Sequence, residues 1–306
     1  MTPRKAVAKW KRSSVASRTP GEPSTEGREA PAAPPPVIEP STSEVCATRA
    51  VTTDRKVDFS FFREQGFTIG QKLVDLGLEK LLSLHEPTYP SLVREFFGSA
   101  TRTQDGLEGK VRGIIVVVNK PILARLFDLP TEGTEPYHLE IECIPRNEAL
   151  NVVLGRDNYE VSMFLSAGHL DVEARLLHNI ISHILFPKTG RFDFVSERDL
   201  ALMYQILEMK PFNMSKMMMT HILEAYGKPR YSLPYGMVFI LIFKDVGVPI
   251  LENDLKKELR YTDFYDQNTL MRMGFKKVEG KWIRKQSTSQ PISTDPTSSP
   301  HSPIHV

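Results

Sequence analysis

The sequence predicts a mainly α-helical domain, α+β with minor β: a compact multi-helix body, a short β element near 111–118, a C-terminal hairpin near 275–285, and disordered tails. Three observations carry this. Apolar residues recur at helical intervals through most of the chain. Ile114 to Val118 forms a short run of five β-branched residues, the best strand signal in the chain. Both ends are rich in Pro, Ser and Thr, too poor in apolar surface to offset the entropy of ordering them.

Residues 1–54 therefore read as a basic, Pro-rich tail and 286–306 as a Ser/Thr/Pro tail. Residues 55–250 read as the helical domain, and 251–285 as C-terminal helices and a basic hairpin packed on it. A net charge of +2 over 306 residues does not point to a polyanion partner for the whole chain. The first twenty residues do concentrate charge: Arg4, Lys5, Lys9, Lys11, Arg12 and Arg18, with no acid. Such an arm suits a nuclear-localisation or nucleic-acid patch, or simply a solvated tail. No apolar run follows Met1, so secretion is not expected. Two cysteines, Cys46 in the tail and Cys143 in the folded part, fit a reducing compartment. The expected location is intracellular, nucleus or cytoplasm.

The first helix is expected over "TIGQKLVDLGLEKLLSLHEP", with Ile69, Leu73, Leu76, Leu81 and Leu84 on its apolar side. Pro90 then starts a helix with Leu92, Val93, Phe96 and Phe97 on one face. Gly106 and Gly109 read as a turn before "KVRGIIVVV", a strand suited to burial on both faces. Asn119 caps "KPILARLF". A short helix follows over "RNEALNVVLG", and Asp171 caps the amphipathic "VEARLLHNIISHIL". Ser196 and Asp199 form a capping box for "ERDLALMYQIL". Asn213 opens "MSKMMMTHILEAYG". The apolar run Met237 to Phe243 has Pro234 before it and Gly247 and Pro249 after it, which favours a helix buried all round over a strand. "ENDLKKELRY" reads as a charged helix, residues 266–273 as a short one, and "FKKVEGKWIRK" as a hairpin turning at Glu279-Gly280.

The chemical motifs tested are not there. His178 and His183 are five apart, so on a helix they point about 140° from each other at ~100° per residue. They suit boundary or solvent positions. "GFKKVEGKW" and "DGLEGKV" both fail the phosphate-loop spacing. No Gly-x-Ser-x-Gly elbow occurs, and Cys143 has no assignable base. Met214, Met217 and Met218 share a helical face and suit the core better than a partner surface. No catalytic, cofactor or metal residue is nominated. The terminal hairpin is the one nominated nucleic-acid contact: Lys276, Lys277, Lys281, Trp282, Arg284 and Lys285 combine phosphate-pairing cations with a stacking aromatic. Its alternative is a solvated ribbon whose Trp282 covers the edge of the core.

Several pieces in order, "QGF" (65–67), "YPSLVREFF" (89–97), "VRG" (111–113), "ILARLFDLP", "ARLLHNIISHILFPKTGRFDFVSERDLALMYQIL" (174–207) and "LPYGMVFILIF", resemble the plant transposon protein domain, a retrotransposon-associated plant family. The resemblance covers about 57–250 and fades beyond it. It implies provenance and brings no catalytic motif onto these residues. The expectation is thus a non-enzymatic structural or assembly protein of a plant mobile element. The alternative is a nuclear nucleic-acid-binding protein using the basic arm and the hairpin. Self-association and nucleic acid are the partners left open; no membrane, small-molecule ligand or cofactor is expected.

Overall fold

The computed structural model describes residues 42–134, 145–155 and 164–285, all within one compact unit that spans Pro40–Val306. Cys143, the basic arm of the first twenty residues and the 286–306 tail lie outside the described residues. The fold is mainly α with minor β.

The first described element corrects the expected boundary at residue 54. Helix α1 (Thr42–Ala47) and the chain after it are packed, not tail. Cys46 is buried, and so is Arg49. The Arg49 guanidinium donates to Ala225 O at 2.6 Å, Lys228 O at 3.2 Å and Tyr231 O at 2.6 Å. It thereby occupies carbonyls at the C-terminal end of a later helix, where a cation is favoured. Composition misses this because one arginine holds the segment rather than an apolar run.

Strand β1 (Lys56–Val57) leads into α2 (Phe59–Glu64), capped by Asp58, whose side chain accepts from Ser60 N and Phe61 N. The single helix expected over 68–87 is two, α3 (Thr68–Asp75) and α4 (Glu79–Leu82). Gly77 separates them with φ of +73°, a left-handed conformation that closes the first helix. Helix α5 (Pro90–Ser99) follows with Pro90 in its first turn as expected.

The β element is larger and more one-sided than predicted. Strands β2 (Thr101–Arg102), β3 (Gly106–Val111) and β4 (Ile114–Asn119) form an antiparallel sheet in the order β2-β3-β4. Gly106 and Gly109, read as turn residues, sit in β3 opposite Asn119 and Val116. A Cβ on Gly106 would lie 2.0 Å from Val118 O, so only glycine allows this approach. Strand β4 is not buried on both faces: Val116 and Val118 point inward while Ile115 is exposed. That is the alternation of an antiparallel sheet with one wet face.

Helix α6 (Lys120–Phe127) starts as expected, with Asn119 Oδ1 accepting from Ile122 N at 3.0 Å. Helix α7 (Arg146–Leu154) is followed, after a short 3₁₀ turn at Ala167–His169, by α8 (Val172–Ile180). Asp171 caps α8 through Ala174 N at 2.8 Å. Helix α8 runs on into a π turn, Ile181–Leu185. Helix α9 (Glu197–Leu207) has the Ser196/Asp199 capping box, and α10 (Met214–Gly227) the Asn213 cap. Met214, Met217, Met218 and Met219 are all buried.

Helix α11 (Gly236–Asp245) is the apolar run, and it is a helix. Pro234 precedes it rather than sitting in its first turn, and Tyr235 at φ +62° makes the corner. The Tyr235 hydroxyl donates to Leu185 O at 2.8 Å, which holds that uncommon backbone in place. Phe239 packs against Phe96 and Phe97, each with ring centroids 5.1 Å away, and Phe243 lies beside Phe239. Val246, expected to extend the apolar pattern, is exposed past the helix end.

The charged helix expected over 252–261 does not form. Its groups are engaged elsewhere. Arg112 ion-pairs with Asp254, and Lys257 exchanges both backbone hydrogen bonds with Thr88. A turn and an isolated bridge thus win over local helix propensity. Strand β5 (Phe264–Tyr265) then pairs in parallel with β1, Lys56 opposite Phe264 and Val57 opposite Tyr265. Helix α12 (Gln267–Arg272) is capped by Asp266. Strands β6 (Phe275–Val278) and β7 (Lys281–Arg284) close the hairpin, with positive φ at Glu279 and Gly280. That is the turn whose twist matches a two-residue hairpin. No helix among the described residues is long and apolar enough to cross a membrane.

Candidate anion-binding cleft

Two clefts adjoin on the face where β1, α8, the π turn, β5 and α12 meet. The first holds about 340 Å³ and is lined by Ala50–Thr53, Arg55, His183, Lys188, Phe192, Arg260 and Asp263, among others. The second holds about 370 Å³ and includes Arg55, Arg175, Asn179, Arg260, Asp263 and Arg272. Arg55, Arg260 and Asp263 line both.

Each cation is placed by a different element. Arg55 directly precedes β1, and its guanidinium stands over the Tyr265 ring at 5.6 Å. Tyr265 is itself fixed, its hydroxyl donating to Asn179 O at 2.8 Å. Arg175 lies on the first turn of α8 and Arg272 on the last residue of α12, where it donates to Thr262 O and Thr269 Oγ1, both at 2.9 Å. Arg260 pairs with the buried Asp263 at 3.2 Å. Lys188 pairs with Asp199.

The charge balance is uneven. Among the described residues, Arg55, Arg175 and Arg272 form no ion pair with a carboxylate. The Nε of Arg55 is buried with no acceptor among the described residues. Burial pushes the Arg175 pKa down, and so does the neighbouring Arg284; Asp193 offsets this only in part. A half-buried arginine held beside another arginine is an unfavourable arrangement for the empty protein and a favourable one around an anion. Asp263 stays below the usual carboxylate range: burial opposes this, and the Arg260 hydrogen bonds and charge, together with the Arg55 charge, prevail.

The nominated hairpin residues are divided by the pleat, because cross-strand partners share a face and neighbours alternate. Lys277 pairs with Trp282 and Phe275 with Arg284 on the docked face. There Phe275 is buried, and Lys277 Nζ and Trp282 Nε1 both donate to Gln65 Oε1, at 2.8 and 3.1 Å. Trp282 therefore packs against the core edge, its N–H occupied. Arg284 donates to Leu170 O at 2.7 Å and stands over Phe275. It lines neither cleft, but its charge acts on Arg175. Lys276 and Lys281 lie on the outer face, and Lys285 follows it by alternation. The cleft arginines escape sequence reading because they sit at positions 55, 175, 260 and 272, brought together only by the fold. Their one local sign is that Arg175 interrupts the acidic first turn of α8.

A second cluster has the residue types of an acyl-transfer triad and the wrong geometry. Ser182 Oγ is 3.2 Å from His178 Nε2, and Asp199 Oδ2 is 3.8 Å from the same nitrogen. A relay requires the carboxylate on the other nitrogen. Ser182 also donates to its own helix, at His178 O, 2.7 Å away. All three side chains are buried, so His178 is a core residue and not the boundary or solvent histidine expected. Burial would raise the Asp199 pKa, but its His178, Lys188 and Ser196 partners bring it to about 2. No group of three or more His, Cys, Asp or Glu among the described residues is arranged to hold a metal ion.

No curated protein and no solved structure matches the chain. A family model does, over residues 74–249. The match ends where the sequence resemblance fades, and it leaves "QGF" and the C-terminal hairpin outside. It covers more than half of the 306 residues, and the chain therefore belongs to the family described as "Putative plant retrotransposon-related domain".

Proposed function

We propose that this retrotransposon-related chain is a non-enzymatic nucleic-acid-binding protein, and that the arginine-lined cleft is its phosphate contact. The observation that carries this is the excess of cations: Arg55, Arg175 and Arg272 converge on adjoining clefts, and none forms an ion pair with a carboxylate among the described residues, although Asp263 and Asp193 lie near enough to Arg55 and Arg175 to offset part of their charge. A nucleic-acid backbone offers repeated anions, and guanidinium groups pair with phosphate oxygens through two hydrogen bonds at once. Such binding weakens with salt because bound cations are released from the nucleic acid.

Fluorescence anisotropy with a labelled oligonucleotide across a salt series tests the reading. Replacing Arg175 and Arg272 by Gln should reduce the slope of log K against log salt by about one unit for each phosphate contact removed. A slope unchanged in that variant, or no binding by the parent protein at low salt, overturns it.

A second reading, self-association, is favoured by a separate observation. Leu251, Leu255 and Tyr261 are 51 %, 85 % and 77 % exposed along the stretch between α11 and β5, Tyr261 opening a 3₁₀ turn at Tyr261–Asp263. Large apolar side chains exposed close together in sequence suit a contact surface. Light scattering after size exclusion should then show an oligomer that Leu255→Ser weakens. A monomer at every concentration removes this reading.

A further inference from the structure

We propose, resting on the nucleic-acid reading, that the cleft takes single-stranded rather than duplex nucleic acid, with a base stacked on Phe192 and the adjoining phosphate on Arg55. The first cleft has one flat aromatic wall. Phe192 and His183 stack with ring centroids 4.3 Å apart and an interplanar angle of 10°. Both side chains line the cleft, and both are half-buried. His183 is a neutral ring: burial and the nearby Arg55 charge hold its pKa down at about 3. A hydrogen bond of 2.9 Å joins its Nδ1 to Asn179 O, so in the neutral ring Nδ1–H is the donor and Nε2 is left as an acceptor. The wall is therefore uncharged and preorganised, and the cations stand around it.

This division suits a single strand. A strand exposes base faces to an aromatic and a backbone that follows a charged groove. A duplex keeps its base faces stacked inside and presents phosphates on a convex rod, which concave clefts of about 340 and 370 Å³ do not admit. Each volume lies in the range of small-ligand pockets. The second cleft continues the path with Arg175 and Arg272, and no aromatic side chain lines it among the residues assigned to it. It suits backbone, while the first suits a base.

The test compares a labelled single strand with a duplex of the same length, on the full chain. The single strand should bind at least roughly tenfold tighter, and Phe192→Ala should cost it roughly tenfold while leaving duplex binding unchanged. Phe192→Tyr, which keeps a stacking ring, should restore the affinity. Because Phe192→Ala also removes the support of His183, a strand carrying a fluorescent adenine analogue is titrated into the unsubstituted protein. Stacking should quench its emission. Equal or tighter duplex binding, or unquenched emission from a bound strand, overturns the single-strand inference and leaves phosphate binding standing. Failure of every nucleic acid to bind overturns both.

Discussion

The hydroxyl of Thr88 donates to Asp54 Oδ2 at 2.5 Å, and this contact ties the segment before β1 to the segment before α5, beside the start of α11. Gly236 leaves the room for it: a Cβ there would meet Thr88 and Asp54 atoms at 2.6 and 2.7 Å. Burial raises the Asp54 pKa to about 6, against the Thr88 and Met237 hydrogen bonds and the Lys257 charge, which lower it. In the unfolded chain the group titrates near its ordinary 3.8. The folded protein thus holds a proton that the unfolded chain releases, between about 4 and about 6. The stabilisation is present below that window and is lost as pH rises through about 6. Asp54→Asn should remove this part of the pH dependence, and the variant should gain stability relative to the parent above about pH 6. Urea unfolding of both proteins across pH measures the difference.

The histidines work in the opposite direction. Burial lowers His221 to about 4 and His183 to about 3. Both are therefore neutral in the folded protein while the unfolded chain protonates them below its ordinary 6.5. Their contribution is lost as pH falls from about 6.5 towards those values. For this reason only the difference between Asp54→Asn and the parent isolates the carboxyl. A difference that is flat with pH would refute the assignment.

Phe239 is fully buried between Phe96, Phe97 and Phe243. Phe239→Ala should cost about 3–5 kcal/mol, since the cavity adds to the lost transfer energy. The denaturation midpoint should fall with little change in m. A loss below about 1 kcal/mol would mean that α11 is not the packing centre.

Gly106→Ala should be as damaging although the new group is only a methyl. Its Cβ meets the Val118 carbonyl at 2.0 Å, and that carbonyl belongs to the sheet and cannot swing aside. A cost of about 3 kcal/mol or more is expected, measured by thermal unfolding.

Lys276 and Lys281 test the hairpin against the cleft. They share the outer face of the ribbon, away from Phe275 and Arg284. Lys276→Ala with Lys281→Ala should leave the salt dependence of nucleic-acid binding unchanged, whereas Arg175→Gln should reduce it. The reverse pattern would move the contact surface to the hairpin.

Local chemistry made much of this fold legible. Asn119, Asp171, Ser196 and Asn213 cap the helices they were expected to cap, because a cap satisfies backbone donors within its own first turn. The run Met237 to Phe243 is a helix because Gly247 ends it and the apolar side chains cover its circumference. The Glu279-Gly280 hairpin turn follows from the same local rules.

Elements whose partners are distant in the chain were not legible. Arg49 anchors α1 to carbonyls more than 170 residues away, so a stretch with tail-like composition is packed. Residues 252–261 have helical propensity but form a turn and an isolated bridge instead, because Arg112 holds Asp254 and Thr88 pairs with Lys257. The cleft is the extreme case. Its arginines come from four separate segments, and no spacing within one segment encodes their convergence. By itself the sequence determined most helix caps and the family. Tertiary structure alone decided which charges face one another, since that depends on long-range packing and not on the free energy of any single turn.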